Sequence, residues 1–259
     1  MTRKDFALLA LILLLGAGMS ITHRIKQGIL PIGVHVEGLE FLQGPLHTFS
    51  ETADRDLTPG ERVVVESRGD VRVLAWSERK VHVELKKQVH GEKEEEARQR
   101  AAQLKLALDP SPGTLRIHTE GSSNGGVSSD LSVTLPESAS LQVITSKGSV
   151  VVQGIRQDVV IRAAHGDVEV SDLGGRVEIL NENGGIRAQR VQGPAILRTA
   201  HGDVEGSDLG NSVEVNCENG DVQLSRIGGL VKVTQAHGRV RVAVAGSVGH
   251  VELHQGLVT

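Results

Sequence analysis

The sequence predicts an all-β fold: a single-chain parallel β-solenoid of about 18 residues per coil and two strands per coil. An N-terminal membrane helix and one amphipathic helix at about 92–108 complete the expected architecture. Three observations predict the solenoid. From Gly148 onward every ninth position belongs to one series, and ten of its thirteen members are glycine, with Gln157, Asn211 and Ser247 as the others. Apolar side chains follow two and four residues after each, as in Val150 and Val152, Val177 and Ile179, or Val213 and Val215; Gly206 and Gly249 interrupt the pattern. A further apolar column recurs at every second unit of the series, at Ile155, Leu173, Val191, Leu209, Ile227 and Ala245.

Apolar residues two apart are the period of a strand with one buried face. A glycine before each pair supplies a corner that can take positive φ without a steric penalty. A strand-and-turn unit repeated at fixed spacing buries its apolar face only by stacking on its neighbours. Six to seven coils fit between Leu141 and Thr259, a rod on the order of 30 Å long at about 4.8 Å per rung. The segment 164–174 returns at 200–210 with one change, Val170 to Gly206. Stacked columns then alternate in charge: Asp172, Arg190, Asp208, Arg226 in one, and Glu169, Arg187, Glu205, Gln223, Arg241 in another. A slip of one coil would set like charges together, so these columns control register.

Four regions follow: 1–21 as signal anchor or signal peptide, 22–60 as linker, 61–135 as N-terminal strands plus helix, and 136–259 as solenoid repeats. Arg3 and Lys4 precede an apolar run from Phe6 to Leu15. This is a charged n-region and a short h-region, followed by no clear cleavage site and no lipoprotein cysteine. The linker carries a strand candidate at 34–41. Strands are expected at Arg62–Ser67, Asp70–Trp76, Lys80–Val89, Thr114–Thr119 and Leu131–Leu135, with a mobile loop at Gly121–Ser129. Over Glu92–Leu108, Ala97, Ala101, Leu104 and Leu108 form a helical stripe that docks on the solenoid, and Pro110 ends it.

Composition narrows function. Aromatics make up 2% and Tyr is absent, which weakens any stacking platform for sugars or bases. Net charge is −4, which argues against nucleic acid. The lone Cys217 excludes a disulfide framework or a paired-cysteine metal site, and reads as a small side chain near a corner. His165, His201 and His237 stand at one corner every second coil, about 9–10 Å apart, too far to share an ion. Asp167, Asp203 and Asp221 follow corner glycines in repeat positions, which favours turn solvation over a carboxylate pair for glycoside hydrolysis. The calcium-binding β-roll loop is absent. No catalytic, cofactor-binding or metal residues are therefore assigned, and no enzyme activity is expected.

The stretch 135–150, Leu135-Pro136 through Leu141, Val143, Gly148 and Val150, followed by Asn/His-Gly-x-Val units, resembles the bacterial putative-adhesin domain of unknown function, a toast-rack-like family of strand repeats. The resemblance covers roughly 60–259. It implies a β-solenoid in the cell envelope with no established catalytic residues. The sequence is thus read as an envelope adhesin, scaffold or sensing module, anchored in the inner membrane and facing outward, or secreted. Its expected partners are the membrane, through the N-terminal segment, and a protein or surface ligand. The chain stops in mid-strand at Leu257-Val258-Thr259, which predicts self-association through the solenoid end or capping by another protein. The alternatives are a polysaccharide-binding or polysaccharide-processing β-helix, with or without calcium, and a cytoplasm-facing scaffold.

Overall fold

The computed structural model describes residues 44–121, 126–243, 248–253 and 256–258. The expected membrane segment, the strand at 34–41 and residues 122–125 of the Gly121–Ser129 loop lie outside these. Among the described residues no helix is long and apolar enough to cross a membrane.

The repeat region forms the predicted solenoid, with each coil contributing one strand to each of two facing sheets. One sheet stacks β8 (Ser140–Thr145), β10 (Val159–His165), β12 (Val177–Asn183), β14 (Ala195–His201), β16 (Val213–Asn219) and the first half of β18 (Val231–Ala243). The other stacks β9 (Val150–Gln153), β11 (Val168–Leu173), β13 (Ile186–Val191), β15 (Val204–Leu209), β17 (Val222–Ile227) and the second half of β18. All these pairs are parallel and set each residue over its equivalent in the next coil, as in Val177↔Ala195 and Ile186↔Val204. β19 (Val248–Leu253) and β20 (Gly256–Val258) add a further rung on β18.

Between the sheets lies the aliphatic core. Val159, Ile161, Val177, Ile179, Val204, Val213 and Val215 are buried, and so is the once-per-coil column Ile155, Leu173, Val191, Leu209 and Ile227. The core closes at the glycine corner on a buried polar column. The Asn181 amide donates to the Gly166 carbonyl at 2.9 Å, the Thr199 hydroxyl to Gly184 at 3.2 Å, and the Cys217 thiol to Gly202 at 3.5 Å. The Gln235 amide donates likewise to Gly220. These four coils thus each return a donor to the corner carbonyl of the coil before, whereas Ala163 in the same column of β10 has none to give.

The N-terminal strands join the same sheets, but out of chain order. β2 (Arg62–Ser67) lies parallel between β6 (Thr114–Gly121) and β8, and β3 (Val71–Trp76) between β7 (Val127–Pro136) and β9. Coiling therefore begins at Gly69-Asp70-Val71, as the local sequence suggests. Antiparallel strands then finish this end: β4 (Lys80–His90) on β7, β1 (Leu46–Asp56) on β4, and β5 (Leu104–Ser111) on β6.

Two expectations change here. The helix, α1, runs only Glu94–Ala101, and 104–111 is a strand. Leu104, Leu106 and Leu108 alternate with exposed Lys105 and Asp109, so the segment satisfies period two as well as the helical stripe. The ladder offered by β6 decides between them, with eight cross-strand pairs from Leu104↔Gly121 to Ser111↔Thr114. Pro110 is tolerated because β5 is an edge strand. The second change is β1, an 11-residue strand inside the expected linker. α1 still docks: Ala97 and Ala101 pack with Phe49, Val89, Leu104 and Val127 in a small second core. The cap also buries charge. Lys87 meets Glu51 at 2.7 Å, and Glu61 meets Arg55 at 3.0 Å.

Candidate functional site

Many charged residues of the coils are engaged with neighbouring rungs, as Arg187 is with Glu205 at 2.9 Å. At the glycine corner, the Asp70, Asp167, Asp203 and Asp221 carboxylates each accept a backbone N–H from the next rung: Ser149 at 2.7 Å, Gly185 at 2.8 Å, Asp221 at 2.7 Å and Arg239 at 3.0 Å. These carboxylates cap the N–H groups of a corner and are not gathered into a catalytic pair. His165, Asn183, His201, Asn219 and His237 stack directly, one per rung. The asparagines clamp the preceding rung, with Asn183 donating to Ala164 O at 3.2 Å and Asn219 to Ala200 O at 3.4 Å.

The Asp172 column behaves as predicted and adds a feature that no sequence signal marks. Arg190 donates to Asp172 through Nε and Nη2 at 2.6 and 2.9 Å, and Arg226 to Asp208 through the same two nitrogens at 2.5 and 2.7 Å. All four residues have positive φ, between 51° and 58°. Side chains other than Asn and Asp rarely occupy this region, so the two arginines hold a strained corner that the bidentate pairs help offset. The hydrogen bonds from Arg190 and Arg226 hold the Asp172 and Asp208 carboxyls below the usual range, and the Arg239 N–H followed by its guanidinium does so for Asp221. A carboxyl depressed in the fold lends stability above its unfolded value, and that stability is lost as pH falls through the folded value. Thermal melts are accordingly expected to weaken below about pH 4, and Arg190→Gln with Arg226→Gln should flatten that dependence. Asp130 acts oppositely: burial, then the Asp70 charge, raises its carboxyl.

The same column lines a groove of about 860 Å³ together with Trp76, Glu137 and Arg156. Gly154, the first member of the positive-φ column, also lines it and packs close against Ala75. Trp76 is fixed there by its indole N–H, which donates to Lys80 O at 2.7 Å. Cys217 is buried, and burial followed by nearby Asp203, Asp221 and Glu218 pushes its thiol up to about 11. Alkylation of the native protein at pH 8 is expected to be negligible, with full labelling once it is unfolded.

One cluster escapes the sequence reading. Asp109, His118 and Glu120 bring one potential ligand atom each to within 4.8 Å of one another on the β5–β6 hairpin. His-x-Glu on a strand, with an acid on the strand opposite, is the signal that could have found it.

The family model Toastrack DUF4097 matches residues 61–255. The chain belongs to the Toastrack family. The Toastrack fold is also found in a crystal structure from Bacteroides fragilis described as a putative adhesin. That structure has 15% identity and a TM-score of 0.55, over 82% of this chain and 95% of that one. A protein from Parabacteroides distasonis described as a putative lipid binding protein has 12% identity and a TM-score of 0.42, over 81% and 95%. No protein of curated function matches this Toastrack chain in sequence.

Proposed function

We propose that the chain is a non-enzymatic binding solenoid of the bacterial cell envelope, held at the membrane by its N-terminal segment and presenting its faces to a partner or surface. The observation that carries this reading is the use made of the corner aspartates. Asp70, Asp167, Asp203 and Asp221 are committed to backbone N–H groups of the next rung, so the faces between corners are what remains to work with. The adhesin description of the Bacteroides fragilis structure and the charged-then-apolar N-terminus point the same way. The test is protease access to a tag after Thr259 in spheroplasts. Digestion without lysis supports an outward-facing rod; protection until lysis overturns it in favour of a cytoplasm-facing scaffold.

The Trp76 groove favours a second reading, a polysaccharide-binding face. Its charges are paired internally, with Arg156 on Glu137 at 2.8 Å and Arg190 on Asp172 at 2.6 Å. Such a wall suits a neutral, hydroxyl-rich chain better than an ionic ligand. Trp76 is the only tryptophan, so its fluorescence reads the groove directly. A saturable change with neutral hexasaccharides supports this reading, and an unchanged signal rejects it.

A further inference from the structure

We propose that Asp109, His118 and Glu120 form a binding site for a divalent metal ion of the zinc class on the outer face of the β5–β6 cap hairpin, a feature independent of the envelope reading. Alternation along β6 sets His118 and Glu120 on one face. The antiparallel register sets Ala107 opposite His118 and Asp109 opposite Arg116, so Asp109 is the diagonal neighbour of the imidazole. The small Ala107 side chain leaves room beside the ring.

The decisive observation is an orphaned nitrogen. His118 Nδ1 is buried with no hydrogen-bond partner. It lies 3.7 Å from Asp109 Oδ2, and Nε2 lies 3.6 Å from Glu120 Oε1. Both distances are too long for hydrogen bonds. The two carboxylates flank different ring nitrogens, so an ion held at one nitrogen with its carboxylate needs the other acid to rotate towards it; one ligand atom from each residue already lies within 4.8 Å of the others. A buried ring nitrogen without a partner calls for an ion or water to satisfy it. The side chain itself is 18% exposed, enough for an ion to enter from solvent.

Ligand chemistry selects the ion. Calcium and magnesium prefer all-oxygen sites, whereas imidazole with carboxylates suits zinc and its neighbours. Two carboxylates neutralise the ion's charge. The nearby Arg116 is engaged by Glu66 at 2.6 Å, and Lys105 lies opposite Glu120. Three protein ligands leave a fourth position of the usual tetrahedron open for water or a partner's group.

The test is calorimetric titration of the chelator-stripped full chain with zinc chloride, repeated with calcium chloride. One zinc per chain is expected, with calcium much weaker. His118→Gln and Asp109→Asn should each weaken zinc at least about tenfold, while His165→Gln with His201→Gln, remote exposed histidines, should leave it unchanged. Glu120→Gln, at an exposed position, keeps the test valid if the His118 variant unfolds. Absence of saturable zinc binding, binding undiminished by His118→Gln or Glu120→Gln, or a preference for calcium overturns the assignment.

Discussion

Gly202→Ala is expected to lower the melting temperature by about 8–16 °C, the shift given by roughly 4 kcal/mol in a chain of this size. Gly202 has φ +141°, and a Cβ there would fall on the Gly184 carbonyl, far inside the 3.0 Å that real Cβ atoms respect. The obstacle is backbone of the rung below, so no side chain can swing aside. Gly166, Gly184, Gly220 and Gly238 repeat the geometry, each over the previous corner glycine. Gln157→Ala is the control. It sits in the opposite corner column, where the chain already carries side chains at Gln157 and Asn211, and is exposed. Its expected effect is within about 0.5 kcal/mol. A Gly202→Ala melt indistinguishable from that of Gln157→Ala would mean that the rungs can part at this corner, against the stacking described.

Glu51→Ala is expected to cost about 2 kcal/mol, less than the loss of one partner from a fully buried ion pair. Lys87 is 7% exposed and its ammonium has the Glu51 carboxylate at 2.7 Å. Breaking a buried pair from one side costs about 3–5 kcal/mol, and the 37% exposure of Glu51 reduces that. The same carboxylate accepts the Leu106 N–H at 3.3 Å, so it joins β1, β4 and β5 across the cap. Glu51→Leu with Lys87→Met should recover most of the loss, because no charge is then left buried. Denaturant midpoints for the single and double variants would decide this; a double variant as unstable as the single one would locate the cost in packing.

The solenoid was legible because one period carries all its information. Val159, Val177, Ala195 and Val213 must share a column once the coil length is known, and they do. The alternation of Asp172, Arg190, Asp208 and Arg226 was legible as ion pairing for the same reason, whereas their positive φ was not, since neither Asp nor Arg demands it. The stretch 97–108 failed because Ala97, Ala101, Leu104 and Leu108 fit a helix while Leu104, Leu106 and Leu108 fit a strand. Only the unpaired edge of β6, distant information, separates the two. β1 was hidden by its polar sequence, His-Thr-Phe-Ser-Glu-Thr-Ala-Asp-Arg-Asp after Leu46, which pairs along β4 while burying little. Asp109 and His118 met only through that unforeseen hairpin.

The threading of β2 and β3 sets the order in which the molecule can be made. Both sides of β2 are closed by strands synthesised much later, Thr114–Gly121 and Ser140–Thr145, and β3 waits for Val127–Pro136 and Val150–Gln153. As the chain emerges amino end first, Val63, Val65, Val71 and Val73 lack their flanking strands until the chain has grown past Val150. The early product is an unsealed seam that needs shelter from aggregation. Once Gln153 arrives, the seam closes in one long-range step, slow by the measure of the loops it must close. Each later coil then has a finished template beneath it and adds as the next link of a zipper.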